Sequence, residues 1–172
     1  LLSESSVIKI KEQLESHKLA ILTAHVKDPT GYGRISKDKG GKPSAIIEEL
    51  DCNDEQKKIK EINSGIMAFN TETAKSLIEK IEPNPKKNEY YLTDAIEIAY
   101  DEGIEATTHS TDEEEVFGVN SRKDLAEVEK INREKVTSIL MDAGVTISDP
   151  QRVDIRGKLT CGNDVTIDVS TV

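Results

Sequence analysis

A nearly unbroken apolar run, Leu19 to Val26, ends just before Asp28-Pro29 and is followed by Gly31-Tyr32-Gly33-Arg34-Ile35. A run that short and that apolar reads as a buried strand. Proline cannot donate to a sheet ladder, so it closes the strand. Glycine has no β-carbon, and the two glycines let backbone take positive φ or pass close to a flat ligand. By itself the segment also reads as a plain tight turn between two strands.

Periodicity on either side places this strand in an α/β chain. Val7, Ile10 and Leu14 recur at helical spacing over 3–16, with Ser3 or Ser5 as the cap. Residues 36–42 read as a polar loop, 43–50 as a strand, 54–60 as one or two charged helical turns and 61–69 as a third strand. Ala74, Leu77, Ile78 and Ile81 predict a helix over 72–81, ended by Pro83 and Pro85. Thr93 is placed to cap the next helix, with Asp94 complementing its positive end and Gly103 stopping it. Residues 104–109 and 115–119 are short strand candidates around an acidic loop, 112–115, that reads as solvated. Ser121, with Asp124 three residues on, predicts the start of the longest helix, which runs to Gly144. Strands alternating with helices predict a sheet covered on both faces.

The last twenty or so residues change period. Val153, Leu159 and Val165 fall six apart, as do Ile155, Cys161 and Ile167. Two apolar positions per six residues suit short strands stacked in a triangular coil. Ordinary period-2 β structure shares the same close spacing.

Composition limits the function classes. Charged residues are 33%, apolar ones 35% and aromatics 3% with no Trp, so aliphatic side chains must fill the core. A net charge of −10 argues against nucleic acid and against anionic membranes. A nucleotide remains possible, because Mg²⁺ and local amides can manage its phosphates. Cys52 and Cys161 make no metal or redox spacing and read as free thiols of a reducing compartment. His17, His25 and His109 form no ligand pair. With no run of about 20 apolar residues and no basic, apolar leader, the chain reads as cytoplasmic.

Five segments then matter together: Gly31-Tyr32-Gly33-Arg34-Ile35, Ile46-Ile47-Glu48-Glu49, Glu61-Ile62-Asn63-Ser64-Gly65, Glu89-Tyr90-Tyr91-Leu92-Thr93-Asp94 and Gly118-Val119-Asn120-Ser121-Arg122. In this order and spacing they resemble the sugar-1-phosphate nucleotidyltransferases. More narrowly, they resemble the bacterial bifunctional N-acetylglucosamine-1-phosphate uridylyltransferases/glucosamine-1-phosphate acetyltransferases. The resemblance implies the C-terminal part of a Rossmann-like nucleotidyltransferase domain over 1–120, a long linker helix over 121–144, and the start of a left-handed parallel β-helix over 145–172. It implies UTP and N-acetylglucosamine 1-phosphate as substrates, UDP-N-acetylglucosamine as product and Mg²⁺ as cofactor. Acetyl-CoA would serve the second activity, and a homotrimer would form through the β-helix. By the same resemblance Gly33 offers backbone beside the sugar's acetamido group, and Glu48 and Asn63 bind sugar. Tyr91 and Thr93 would line the acetamido pocket, and Asn120 would supply an oxygen to Mg²⁺.

The chain also departs from the family. It contains no Leu-x-x-Gly-x-Gly-Thr-Arg-Met-type loop to cradle a triphosphate, no following lysine, and no Asp-bearing strand end for the metal. The expectation is an internal fragment carrying the sugar half of one active site and none of the other, inactive alone. The competing expectation is a non-catalytic sugar-nucleotide-binding or assembly module.

Overall fold

Ser3 starts the first helix, α1 (Glu4–Glu12), by accepting the Ser6 N–H with its side chain. That satisfies one of the amides a helix start leaves without a partner. The structure is a computed structural model that describes residues 1–85 and 88–169. A short 3-10 turn, Gln13–Glu15, leads to β1 (Leu19–His25), buried from Leu19 through Ala24. Then come β2 (Arg34–Lys37), β3 (Pro43–Ile47), β4 (Glu61–Phe69), α2 (Thr71–Ile78), α3 (Asp94–Asp101) and β5 (Ala106–Thr111). The chain continues as α4 (Arg122–Asp142), β6 (Thr146–Ile147) and β7 (Thr166–Ile167). Contacts divide it into two units, Leu2–Val116 and Phe117–Val172 with Leu1. No helix among the described residues is long and apolar enough to cross a membrane.

The first unit is a five-stranded sheet in the order β3-β2-β4-β1-β5. β1 runs parallel to β5, while β1–β4, β2–β4 and β2–β3 are antiparallel. Alternation along the strands divides the core in two. Leu19, Ile21, Ile35 and Ile46 pack against Leu77 of α2 and Ala95, Ile96 and Ala99 of α3. Ala20, Leu22, Ala24 and Ile62 face the other way, onto Ile10 of α1 and Val116. The sheet is therefore covered on both faces, as the alternating pattern predicts. Each buried Leu or Ile contributes about 2 kcal/mol relative to exposure.

Two expectations about strands need correction. Residues 36 and 37, expected at the start of a loop over 36–42, belong to the strand Arg34–Lys37, half of whose four side chains are cationic. Arg34 nevertheless goes inside, 1% exposed, because neutralising partners are waiting there. Residues 115–119 are no strand; Glu113–Val116 is a 3-10 turn that buries Val116 alone. Three consecutive glutamates favour a solvated turn over a ladder.

In the second unit, Ser121 accepts the Asp124 N–H at 3.1 Å while Asp124 Oδ2 accepts the Asn120 N–H at 3.1 Å, which starts α4. Gly144, at φ +92°, ends it. β6 and β7 pair in parallel, Ile147 opposite Ile167, one circuit of chain apart. That is how successive coils of a parallel β-helix stack. Val145, Ile147 and Val153 are buried with Ile155, Cys161, Val165 and Ile167 around them. Leu159 is the exception to the six-residue pattern: it is 45% exposed, so this corner of the coil contributes no interior side chain.

Candidate sugar-nucleotide site

β4 carries an irregularity that shapes the site. Its pairing with β1 jumps from Met67 opposite Ile21 to Asn63 opposite Thr23. Gly65 takes up the extra chain at φ +82°, a left-handed conformation that suits glycine. Asn63 Oδ1 accepts the Gly65 N–H at 3.1 Å, and Ser64 Oγ accepts the Ile66 N–H at 3.1 Å. The Asn-Ser-Gly segment is thus a bulge held by its own side chains, not a turn between elements. With its oxygen engaged, the Asn63 side chain has NH₂ donors to offer.

Gly33 lies directly across from Asn63, whose N–H donates to the Gly33 carbonyl at 2.8 Å. A Cβ on Gly33 would stand 2.9 Å from Ile46 Cγ2, 3.6 Å from Glu48 Oε1 and 3.7 Å from Asn63 Cβ. The missing side chain is therefore what keeps this wall low. Glu48 follows β3 and is half-buried. Its Oε1 accepts a hydrogen bond from Thr93 Oγ1 at 3.0 Å.

Thr93 does not cap α3. Its backbone is already helical and its hydroxyl makes no cap bond. The first amides of α3 donate instead to carbonyls three residues back, Asp94 to Tyr91, Ala95 to Leu92 and Ile96 to Thr93. That tight first turn releases the Thr93 hydroxyl, in a residue 8% exposed, to reach Glu48. Tyr91 is half-buried in the same turn. Burial, then the nearby Asp51, pushes the Asp94 carboxyl above its ordinary pKa.

Gly33, Glu48, Asn63 and Thr93 are therefore one cluster, with Tyr91 beside it in sequence. Asn120 belongs to the second unit, where its N–H serves the start of α4.

Sequence reasoning passed over several neighbours. Thr23 is fully buried opposite Asn63 and donates to Glu61 Oε1 at 3.0 Å. Glu61 is 7% exposed, and its other oxygen meets Lys37 Nζ at 2.6 Å. Glu61 and Asn63 share a face of β4 by simple alternation, and that signal was present in the sequence. Arg34 is the largest fully buried side chain. Its Nη2 meets Glu49 Oε2 at 2.5 Å and its Nη1 donates to the Tyr32 carbonyl. Arg34, then the Gly31 N–H, hold the Glu49 carboxyl below its ordinary pKa against the opposing effect of burial.

No protein-family model matches the chain. Individual curated proteins do. It is 44% identical to the bifunctional protein GlmU of Paraburkholderia phymatum over 99% of its own length, which is 38% of that relative. The GlmU of Ralstonia pickettii is 46% identical over 90% of this chain and 34% of its own. That of Burkholderia orbicola is 42% identical over 98% and 37%. Over the stretch it spans, the chain is similar to the bifunctional GlmU proteins. It spans little more than a third of the length of these relatives.

The fit of the described residues to a resident Mg²⁺ is poor. Among the described residues no group of three or more His, Cys, Asp or Glu side chains could hold a metal. Magnesium asks for oxygen ligands and is bound through carboxylates plus substrate phosphates. The Asp124 carboxylate beside Asn120 is already occupied by backbone N–H groups and a hydroxyl, which lower its pKa. An Asn carbonyl oxygen alone makes no preformed magnesium site.

Proposed function

We propose that Gly33, Glu48, Asn63 and Thr93 bind the N-acetylglucosamine portion of UDP-N-acetylglucosamine. The protein to which this sequence belongs would make that nucleotide sugar from UTP and N-acetylglucosamine 1-phosphate for cell-wall precursors. In that reaction a phosphate oxygen of the sugar phosphate attacks the α-phosphorus of UTP and pyrophosphate leaves. What this chain's residues contribute is orientation of the sugar phosphate.

One observation carries the reading. The Glu48 carboxylate, oriented by Thr93, stands beside a position without a Cβ and an asparagine held by its own bulge. A carboxylate accepts from sugar hydroxyls, an amide NH₂ donates to them, and bare backbone admits a flat acetamido group. Tyr91 would complete the acetamido pocket. Residues 1–120, 121–144 and 145–172 would correspond to a partial uridylyltransferase domain, a linker helix and the start of the acetyltransferase coil of a cytoplasmic homotrimer. Acetyl-CoA would be used further along that coil.

The test is a titration of UDP-N-acetylglucosamine into the ¹⁵N-labelled chain, with UDP-glucose as competitor and Asn63→Ala as control. Saturable shifts at Gly33 and Asn63, weaker with UDP-glucose and lost in the variant, are expected. A wild-type chain whose resonances do not move would overturn the reading. Binding with no pyrophosphate released from UTP and sugar phosphate would favour a binding module.

A further inference from the structure

Arg34 presents a physical problem. A guanidinium 1% exposed carries a desolvation cost that its partners only partly return. Its Nε is buried with no hydrogen-bond partner, a further cost. The two contacts it does make are specific. Nη1 donates to the Tyr32 carbonyl, and Nη2 meets Glu49 Oε2 at 2.5 Å. The same Glu49 oxygen accepts the Gly31 N–H at 3.3 Å. Thus Gly31 and Tyr32, immediately before Gly33, are tied to the residue immediately after Glu48.

We infer that the Arg34–Glu49 pair is a positioning device for the sugar pocket, setting the separation between the Gly33 backbone and the Glu48 carboxylate. This rests on the sugar-nucleotide reading above. The pair lies on the opposite side of β2 from the pocket, since Arg34 aligns with Ile62 and Gly33 bonds to Asn63. It therefore acts without touching ligand. A planar guanidinium serves the carbonyl and the carboxylate from two nitrogens at a fixed separation; a lysine ammonium has three donors on a single flexible nitrogen and does not hold that separation. Keeping such a group inside despite its cost is what a pocket needing close tolerances asks for.

The experiment compares wild type, Arg34→Lys, Glu49→Gln and the double variant, each shown to be folded by its NMR spectrum. UDP-N-acetylglucosamine affinity is measured by titration and hydrogen exchange is followed at the Asn63 amide. Each single variant is expected to weaken binding on the order of tenfold, and the double variant no further, because one device is lost only once. A merely structural role would lower the melting temperature and leave the affinity of folded molecules unchanged, and that result overturns the inference. If Arg34→Lys does not fold, Glu49→Gln carries the test. If wild type shows no saturable binding, the sugar reading is what fails. The positioning claim is then decided without ligand: Asn63 exchange and the Gly33 amide shift unchanged in Glu49→Gln would overturn it.

Discussion

The Thr93 hydroxyl donates to Glu48 Oε1 at 3.0 Å, joining residues 45 positions apart. This bond ties the start of α3 to the end of β3 and turns a solvated-looking carboxylate into an oriented acceptor. Thr93→Val keeps the shape and removes the donor. Stability should fall by about 1 kcal/mol, read from the urea midpoint. UDP-N-acetylglucosamine binding should weaken several-fold. Thr93→Ser, which keeps a donor, should retain most of both.

Gly33→Ala places a methyl 2.9 Å from Ile46 Cγ2. Its backbone is not left-handed, so the penalty is steric and not conformational. Overpacking of this kind costs about 1–3 kcal/mol. Ile46→Leu removes the branch at Cβ, so the double variant should be more stable than the sum of the single changes requires. Strict additivity in denaturant melts would contradict this contact.

Acid should destabilise the fold through Glu49. Its pKa is held below the ordinary 4.5 first by Arg34, against burial and with help from the Gly31 N–H. A depressed carboxyl contributes stability above its unfolded pKa and loses it as pH falls through the folded value. Glu49→Gln should therefore flatten the loss of stability below about pH 4.5. Asp94 has the opposite sign. Burial and Asp51 raise its pKa, so its ionised form works against the fold at neutral pH. Asp94→Asn should gain stability at pH 7, and the gain should vanish as acid protonates wild-type Asp94.

Within the coil, Val153 is 1% exposed and Leu159 is 45% exposed. Val153→Ala should cost about 2 kcal/mol, whereas Leu159→Ser should stay within about 0.5 kcal/mol. Equal effects, measured by thermal unfolding of both variants, would mean that Leu159 shares the interior after all.

Much of the architecture was legible in order along the chain. Glu61–Phe69 matches its predicted strand, and the Ser121–Asp124 start of α4 was readable from four residues. The coil showed in its six-residue spacing, apart from Leu159. These features depend on neighbours within a few residues, where backbone preference and capping chemistry act. β2 was hidden for the same reason: Arg34 and Lys37 look like loop residues until their partners are known.

The sequence by itself determined the alternation of helix and strand, the caps, and the residue types from which a sugar site can be made. Only the tertiary structure decided that Thr93 serves Glu48 and not its helix, that Arg34 is inside, and that Gly33, Glu48 and Asn63 share one wall. The reason is register. Which side chains meet across β3, β2 and β4 is set by strand pairing and by the bulge at Gly65, and those depend on the whole sheet closing at once.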